Sequence, residues 1–351
     1  MKDITPYNIE RFIELIGMAE KPVIVTHAKP DGDAVGSTSA MLHFLMKTCG
    51  KAEAKVVLND DCPRYLTFIK DAIPAESLIT RDGNIEKAKE TIDSSDLIIC
   101  LDFNAFHRAD KLEKPLAEST AQKILIDHHL NPDRDSFDLC FSETAISSAS
   151  ELVYEVLMNT PVINKDARKL PAQAAVALMT GMTTDTNNFA NSTYPSTLNM
   201  ASDLLSAGVD RDRIINELYN KQRENRVRLM GHVLKDLLTI TEDGVAYIVL
   251  DSDTQKKYDI REGETEGFVN IPLSISNVRM SFLLKEDGEK VRVSIRSRKG
   301  TSANRCARLY FNGGGHENAA GGRLFMPKDI NDISEAGDYI ARHTHTFLTE
   351  Q

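Results

Sequence analysis

The sequence lacks the segments that take a protein into or across a membrane. It has no long apolar run, and its start, MKDITPYNIERFIELIGMAEK, lacks the basic opening and small-residue cleavage site of a signal peptide. These absences predict a cytoplasmic protein with no membrane partner. The 351 residues are 41% hydrophobic and 27% charged, a composition typical of a globular protein long enough for two domains.

The sequence also lacks the patterns of thiol and serine chemistry. Its five cysteines are Cys49, Cys62, Cys100, Cys140 and Cys306, scattered without any C-x-x-C pair. This spacing argues against a disulfide framework and against a zinc site built from thiolates. No G-x-S-x-G elbow and no cysteine-histidine signature is present, so no serine or cysteine nucleophile is predicted.

Positive charge is in deficit, with 42 Lys and Arg against 52 Asp and Glu and a formal net charge of -10. Such a surface argues against non-specific binding of long DNA, because phosphate binding depends on clustered Lys and Arg. Residues 279–308 are the exception, with nine basic and three acidic side chains. That segment is predicted to contact an anionic ligand.

The first half of the chain alternates apolar runs with helical patterns. Buried strands are predicted at 22–26, 54–58, 96–102 and 123–127, and helices at 35–50, 85–92 and 148–158. This alternation predicts an α/β fold with a doubly wound, mostly parallel sheet.

In the second half of the chain the spacing of apolar residues changes from mainly helical to strand-like. Helices are predicted at 172–181 and within 196–238, the last one long and heavily charged, followed by strands at 246–251, 280–287 and 290–297. Asp287-Gly288 predicts a hairpin between the last two strands. The predicted organisation is a catalytic domain at 1–212, a connecting helix at 213–241 and a smaller α+β substrate domain at 242–351.

Aspartate and histidine side chains follow four of these elements. They are His27, Asp31 and Asp33 after the first strand, Asp102 at the end of the strand 96–102, Asp127, His128 and His129 at the end of the strand 123–127, and Asp185 after an apolar helix. Carboxyl ends of parallel strands meet at one sheet edge, where such folds keep their sites. Converging carboxylates are destabilising unless cations lie among them.

This donor set predicts divalent cations. Oxygen ligands with some imidazole and no thiolate suit Mn²⁺, with Mg²⁺ or Co²⁺ as alternatives, and a bridging carboxylate could hold two ions. Each fragment also has a purely structural interpretation. Asp31 could cap a helix after a turn, Asp102 could cap the helix after its strand, and Asp185 could form an Asx-turn.

The stretch FNGGGHENAAGG, residues 311–322, is a second candidate site. Three consecutive glycines let backbone N–H groups approach an anion, and a helix beginning near Glu317 would add its positive end. His316, together with Arg296 and Ser297 on the preceding strand, favours anion binding over the alternative of a flexible loop. The stretch is not a P-loop, because Lys and Ser or Thr are missing at the required places.

These motifs resemble those of a known protein family. THAKPDGDAVGS, the strand end at Asp102, IDHH and GMTTDT resemble the four motifs of the DHH phosphoesterases, and GGGHENAAGG resembles their associated C-terminal substrate domain. The resemblance implies one metal ion held by His27, Asp31 and Asp102, and a second held by Asp33, Asp102, His128 and Asp185.

The resemblance also implies the remaining roles. Asp102, His128 and His129 would be catalytic, with His129 facing a substrate phosphate and Asp127 supporting the histidines. The implied substrate-binding residues of the small domain are Arg296, Ser297, Gly314, Gly315 and His316.

The compact two-domain form within this family implies a Mn²⁺-dependent phosphohydrolase. It would degrade very short RNA, including pApA, to 5'-mononucleotides and convert 3'-phosphoadenosine 5'-phosphate (pAp) to AMP. The alternatives are a cyclic di-AMP phosphodiesterase and a nucleotide-binding sensor with little catalysis. The expected partners are short RNA or small nucleotides and not long DNA, and an exposed helix in the first half is compatible with a homodimer.

Overall fold

The computed structural model of the protein describes residues 1–80, 84–315 and 317–349. The chain divides into two compact units, Met1–Lys221 and Gln222–Gln351. Each unit contains a sheet of six strands. Within the described ranges, no helix combines the length and the apolar character needed to cross a bilayer.

The sheet of the first unit is parallel throughout, in the order β3-β2-β1-β4-β5-β6. Its strands are β1 (Pro22–Thr26), β2 (Lys55–Leu58), β3 (Leu78–Thr80), β4 (Leu97–Leu101), β5 (Gln122–Asp127) and β6 (Leu139–Ser142). The predicted α/β fold is confirmed. The strand order reverses between β1 and β4, and doubly wound sheets bind ligands at the carboxyl ends of the strands at such a point.

Helices cover both faces of this sheet. They are α1 (Pro6–Met18), α2 (Gly32–Lys47), α3 (Thr67–Lys70), α4 (Ile85–Asp93), α5 (Glu113–Glu118), α6 (Ala149–Met158), α7 (Ala172–Asp185), α8 (Pro195–Ser206) and α9 (Arg211–Tyr219). Ile24 of β1 packs in the larger core, which α1, α2, α6 and α7 complete. Val23 and Val25 pack in the core on the other face, with residues of α4 and α5. Burial on both faces explains why the strands are continuous apolar runs.

The second unit is a mixed sheet with helices. Its elements are α10 (Glu224–His232), β7 (Leu238–Ile240), β8 (Val245–Leu250), α11 (Ser252–Lys257), β9 (Met280–Asp287), β10 (Lys290–Ser297), α12 (Ala303–Tyr310), β11 (Gly314–Gly315), β12 (Ala319–Phe325) and α13 (Ala336–Thr349). The strand order is β11-β12-β10-β9-β8-β7. The predicted hairpin is confirmed, since β9 and β10 pair antiparallel with Asp287 opposite Lys290.

The single connecting helix predicted at 213–241 is wrong. The segment holds two helices, α9 and α10, followed by a π-helical turn at Val233–Leu237 and the strand β7. The break lies before α10, where Arg223 adopts an extended backbone with φ -67° and ψ 145°. The Arg223 guanidinium binds Asp259 and Glu264, so contacts within the second unit override the helical propensity of this charged segment.

Candidate metal centre

The Asp and His residues singled out in the first unit lie at the ends of its central elements. His27 follows β1, Asp31 is the N-cap of α2 and Asp33 lies in the first turn of that helix. Asp102 follows β4, Asp127 ends β5, and His128 and His129 come next. Asp185 is the last residue of α7. Their ligand atoms form three groups that could hold a metal ion, namely His27 with Asp31 and Asp102, Asp33 with His128 and Asp185, and Asp102 with His128 and His129.

Asp102 lies between His27 and His128, which belong to different groups. Its Oδ2 is 3.4 Å from Nε2 of His27, and its Oδ1 is 3.5 Å from Nε2 of His128. Both separations exceed the usual length of an N–H···O hydrogen bond, and they leave room for an ion at about 2.1 Å from each ligand. The two oxygens of one carboxylate therefore face two different candidate sites.

The backbone of Asp102 is strained. Its φ of +64° lies in the left-handed region, and the residue is 2% exposed. Its N–H still bonds to the carbonyl of Ile126 on the neighbouring strand, at 3.2 Å. Strain of about 1–3 kcal/mol at such a residue persists only where surrounding structure holds it, and it concentrates at functional sites.

The first group combines a fixed histidine with a capping aspartate. Nδ1 of His27 lies 2.9 Å from the carbonyl of Ala28, which as a hydrogen-bond acceptor places the proton on Nδ1 and leaves Nε2 to face the carboxylates. Oδ1 of Asp31 is 3.9 Å from Nε2 of His27. The same oxygen accepts the N–H groups of Asp33 and Ala34, so Asp31 also caps α2 and the structural interpretation of this residue holds as well.

The second group places a buried aspartate against a helix N-terminus. Nε2 of His128 lies 3.9 Å from Oδ2 of Asp33 and 3.7 Å from Oδ2 of Asp185. The side chain of Asp33 accepts two backbone N–H groups from the first turn of α6, Ala149 to Oδ2 at 2.6 Å and Ser150 to Oδ1 at 2.8 Å. The positive end of α6 therefore stabilises a carboxylate that is almost completely buried.

Two glycines let α2, α6 and α7 approach closely enough to form this group. A Cβ at Gly36 of α2 would lie 2.6 Å from the carbonyl of Ala177 on α7. A Cβ at Gly181 of α7 would lie 2.0 Å from Oγ of Ser150 and 2.9 Å from Oδ1 of Asp33. Any larger residue at position 181 would displace the contacts that hold Asp33.

The pKa shifts at the centre show that its buried carboxylates are stabilised by positive charge. Burial raises the pKa of the Asp33 carboxyl well above its usual value, and the Asp102 carboxylate adds to that increase. Although burial opposes it, the contacts with Asp102 raise the pKa of His27 to about 9 and that of His128 to about 10. Either a protonated imidazole or a divalent cation would neutralise the charge of these carboxylates. Only the neutral imidazole can bind a metal ion, so a bound cation would take the place of the proton. The donor set therefore fits divalent cations.

His129 is held by Asp127. Nδ1 of His129 lies 2.7 Å from Oδ1 of Asp127, and the backbone N–H of His129 donates to Oδ2 of Asp127 at 3.1 Å. Asp127 is fully buried and belongs to none of the three groups found among the described residues. Its position is that of a residue that orients a histidine.

The glycine loop of the second unit is a strand pair. Gly314 and Gly315 form β11 and pair with β12, and the N–H of Gly315 donates to Oδ1 of Asn304 at 3.0 Å. The helix predicted to begin near Glu317 is wrong, because β12 forms an antiparallel ladder with β10 along its whole length. The carbonyl of Glu317 accepts the N–H of Ala303 at the start of α12, which ties the loop to that helix. His316 lies outside the described residues.

Arg296 and Ser297 end β10, beside this loop. Arg296 is partly buried, and burial lowers the pKa of its guanidinium. The hydroxyl of Ser297 donates to the carbonyl of Thr301 at 2.6 Å and accepts from Nδ2 of Asn318 at 3.0 Å. Sequence reasoning missed Asn318 and Asn304. The only signal for Asn318 was an asparagine in a glycine-rich turn, and Asn304, in the first turn of α12, had no such signal.

The chain is similar to known proteins along both of its units. The description "DHH family, N-terminal domain" matches residues 21–182, and the DHHA1 domain matches residues 233–342. The bifunctional oligoribonuclease and PAP phosphatase NrnA of Bacillus subtilis (strain 168) is 30% identical over 322 residues, which cover 92% of this chain and 95% of that protein. The solved structure of an exopolyphosphatase-related protein from Bacteroides fragilis is 36% identical with a TM-score of 0.90, and the match covers 99% of this chain and 98% of that one.

A longer relative matches this chain over nearly its whole length. The cyclic-di-AMP phosphodiesterase GdpP of Geobacillus thermodenitrificans (strain NG80-2) is 27% identical over 340 residues, which cover 95% of this chain and 49% of that protein. This chain therefore corresponds to about half of that relative.

Proposed function

The chain belongs to the DHH family of phosphoesterases, with a DHHA1 domain in its second unit, and we therefore propose that it is a Mn²⁺-dependent two-metal enzyme that hydrolyses short oligonucleotides and nucleotides. It would release 5'-mononucleotides from very short RNA such as pApA and remove the 3'-phosphate of pAp to leave AMP. The name of the Bacillus subtilis relative, which matches almost the whole chain, supports both activities.

The observation on which the proposal rests is the placement of Asp102. Each of its carboxylate oxygens faces a different histidine, at 3.4 Å and 3.5 Å, and a different set of further carboxylates. We propose that His27, Asp31 and Asp102 hold one ion and that Asp33, Asp102, His128 and Asp185 hold the other. Two bound cations would lower the pKa of a water nucleophile and neutralise charge on the reacting phosphoryl group.

The protein's own groups would position the substrate. With Nδ1 of His129 held by Asp127, its Nε2 is the nitrogen proposed to face a phosphate oxygen of the substrate. In the second unit, the guanidinium of Arg296 and the N–H groups of Gly314 and Gly315 are proposed to bind the rest of the nucleotide, with His316. Ser297 would contribute through the turn that its hydroxyl fixes.

The test measures release of mononucleotide or phosphate from three substrates, pApA, pAp and a long RNA. Each is assayed with Mn²⁺, Mg²⁺, Co²⁺ or a chelator. Family membership and the oxygen-rich donor set lead us to expect turnover of pApA and pAp with Mn²⁺, poor cutting of the long RNA and no turnover with the chelator. Equal rates on long RNA and pApA would contradict the short-substrate proposal. Nucleotide binding without hydrolysis of any substrate would favour a sensor.

A second candidate is hydrolysis of cyclic di-AMP, which the match to GdpP over 95% of this chain favours. The same assay with cyclic di-AMP separates the two. Faster turnover of cyclic di-AMP than of pApA would make the cyclic dinucleotide the preferred substrate.

A further inference from the structure

A buried carboxylate lies one layer behind the proposed metal centre. Glu151, in the first turn of α6, is fully buried and belongs to none of the candidate metal groups of the described residues. Within the same ranges it forms no ion pair with a basic side chain, and its Oε1 has no hydrogen-bond partner. A buried carboxylate without a basic partner is costly, so the contacts that it does make need an explanation.

All of those contacts meet at one oxygen. Oε2 of Glu151 accepts the backbone N–H of Ser147 at 3.1 Å and the hydroxyl of Ser147 in a short hydrogen bond. It also accepts the hydroxyl of Thr197, in the first turn of α8, at 2.7 Å. The Thr197 hydroxyl in turn accepts the N–H of Tyr194, so Glu151 joins the starts of α6 and α8.

The start of α6 is the structure that holds Asp33. Ser148 is the N-cap, and its hydroxyl accepts the N–H of Glu151 at 3.0 Å, while the Glu151 carboxylate reaches back to the N–H of Ser147, one residue before the cap. The next two N–H groups, of Ala149 and Ser150, donate to the Asp33 carboxylate. The orientation of these two donors depends on a turn that Glu151 fixes from the other side.

We propose that Glu151 is a positioning residue for Asp33. By fixing the first turn of α6, its carboxylate sets the position of the two N–H groups that orient Asp33, and through them the geometry of the cation site that includes His128 and Asp185. This inference rests on the proposed function only in taking Asp33 as a ligand. It assigns Glu151 no contact with substrate or metal.

The test is Mn²⁺ titration by calorimetry of the metal-depleted full-length protein, with thermal unfolding of the same samples. Asp33→Asn identifies the affinity that belongs to the Asp33 site. Glu151→Met removes the accepting oxygen at nearly the same side-chain length, and it is expected to lower that same affinity about 10- to 100-fold, the range typical for residues that orient metal ligands, and to leave the other site unchanged. Thr197→Val removes a single donor to Glu151 and should lower the same affinity by a smaller factor.

Glu155→Met is the matched control, since Glu155 lies one turn further along α6 and is only partly buried. Its Mn²⁺ affinities should equal those of the wild type. The proposal is overturned if Glu151→Met keeps both affinities while only its melting temperature falls, or if both affinities fall together. It is also overturned if the wild type binds no Mn²⁺ at the Asp33 site. If the wild type binds two ions and hydrolyses no nucleotide, the proposed function fails while the role of Glu151 stands.

Discussion

Asp127 holds His129 at two points, through Oδ1 at 2.7 Å from Nδ1 of the imidazole and through Oδ2 at 3.1 Å from the backbone nitrogen. This double contact fixes both the ring and the chain that bears it. It leaves the opposite ring nitrogen as the one that can meet a ligand.

Replacement of Asp127 by asparagine should therefore impair turnover without unfolding the protein. Asp127→Asn removes the charge that orients the ring, and we expect kcat on pApA to fall about 10- to 100-fold, measured with saturating Mn²⁺. Asp138→Asn is the control, because Asp138 also accepts a backbone N–H of β5, that of Lys123, at the opposite end of the strand. Equal losses in both variants would mean that the effect is one of stability.

Asp102 and Asp31 should differ in how many cations they affect. Asp102→Asn keeps the shape of the side chain but removes the charge that faces both histidines, so both Mn²⁺ affinities should fall and turnover should reach the level of the chelated enzyme. Asp31→Asn should lower only one affinity, because Asp31 belongs to a single group. Calorimetric titration of the two variants checks this, and loss of only one site in Asp102→Asn would contradict the shared ligand.

Arg296 should affect substrate capture more than chemistry. A lost charged hydrogen bond to a nucleotide, of about 1.5–3 kcal/mol, corresponds to a KM for pApA raised roughly 10-fold or more in Arg296→Ala, with kcat little changed. Arg292→Ala is the matched control on the same face of β10, since Arg292 already pairs with Glu262 and Asp287. A fall in kcat at constant KM would contradict the role proposed for Arg296.

Gly181 should tolerate no side chain. The Cβ of Gly181→Ala would meet Ser150 and Asp33, and the clash should lower the free energy of unfolding by about 1–3 kcal/mol and weaken Mn²⁺ binding. Gly17→Ala, in α1, is the control because no atom lies within 4 Å of the added Cβ. It should be neutral or raise the free energy of unfolding by up to about 1 kcal/mol. Urea unfolding of both variants is the measurement.

His43 of α2 should make stability depend on pH. Burial, with a smaller contribution from the charge of the nearby Lys47, lowers the pKa of His43 to about 4. In the unfolded chain the ordinary pKa is about 6.5, so between these values the unfolded state binds a proton that the folded state does not. As pH falls from 6.5 to 4, His43 should reduce the free energy of unfolding by at most about 1.4 kcal/mol per pH unit. In His43→Gln this part of the pH dependence should be missing from urea midpoints, and parallel curves for the two proteins would contradict it.

Much of the first unit could be predicted because its strands carry their own signal. Runs such as the one that forms β1 are buried on both faces and are therefore apolar, except for the Thr26 that ends it. The strands β3 and β6, with three and four residues, were missed because they are short and lie at the edges of the sheet. The break before α10 depends on the contacts of Arg223 with residues about 40 positions later, which no local pattern reveals.

The convergence of the Asp and His side chains at the sheet edge could also be predicted, because it follows from strand direction alone. The contacts that hold these side chains in place could not be predicted. Asp33 is bound by N–H groups 116 and 117 positions away, and no local pattern marks the left-handed backbone of Asp102. The glycine loop was wrongly given a helix because the pairing of β12 with β10 decides that segment.

The left-handed backbone at position 102 also limits what evolution can place there. The residues that accept such a φ most readily are glycine, asparagine, aspartate and, less often, histidine, and of these only aspartate offers two charged oxygens. A related protein that kept this fold and lost hydrolysis would therefore be expected to carry asparagine or glycine at the equivalent position, which is a single base change from an aspartate codon. The identity of this one residue would separate enzymes from binding proteins among relatives with the same architecture.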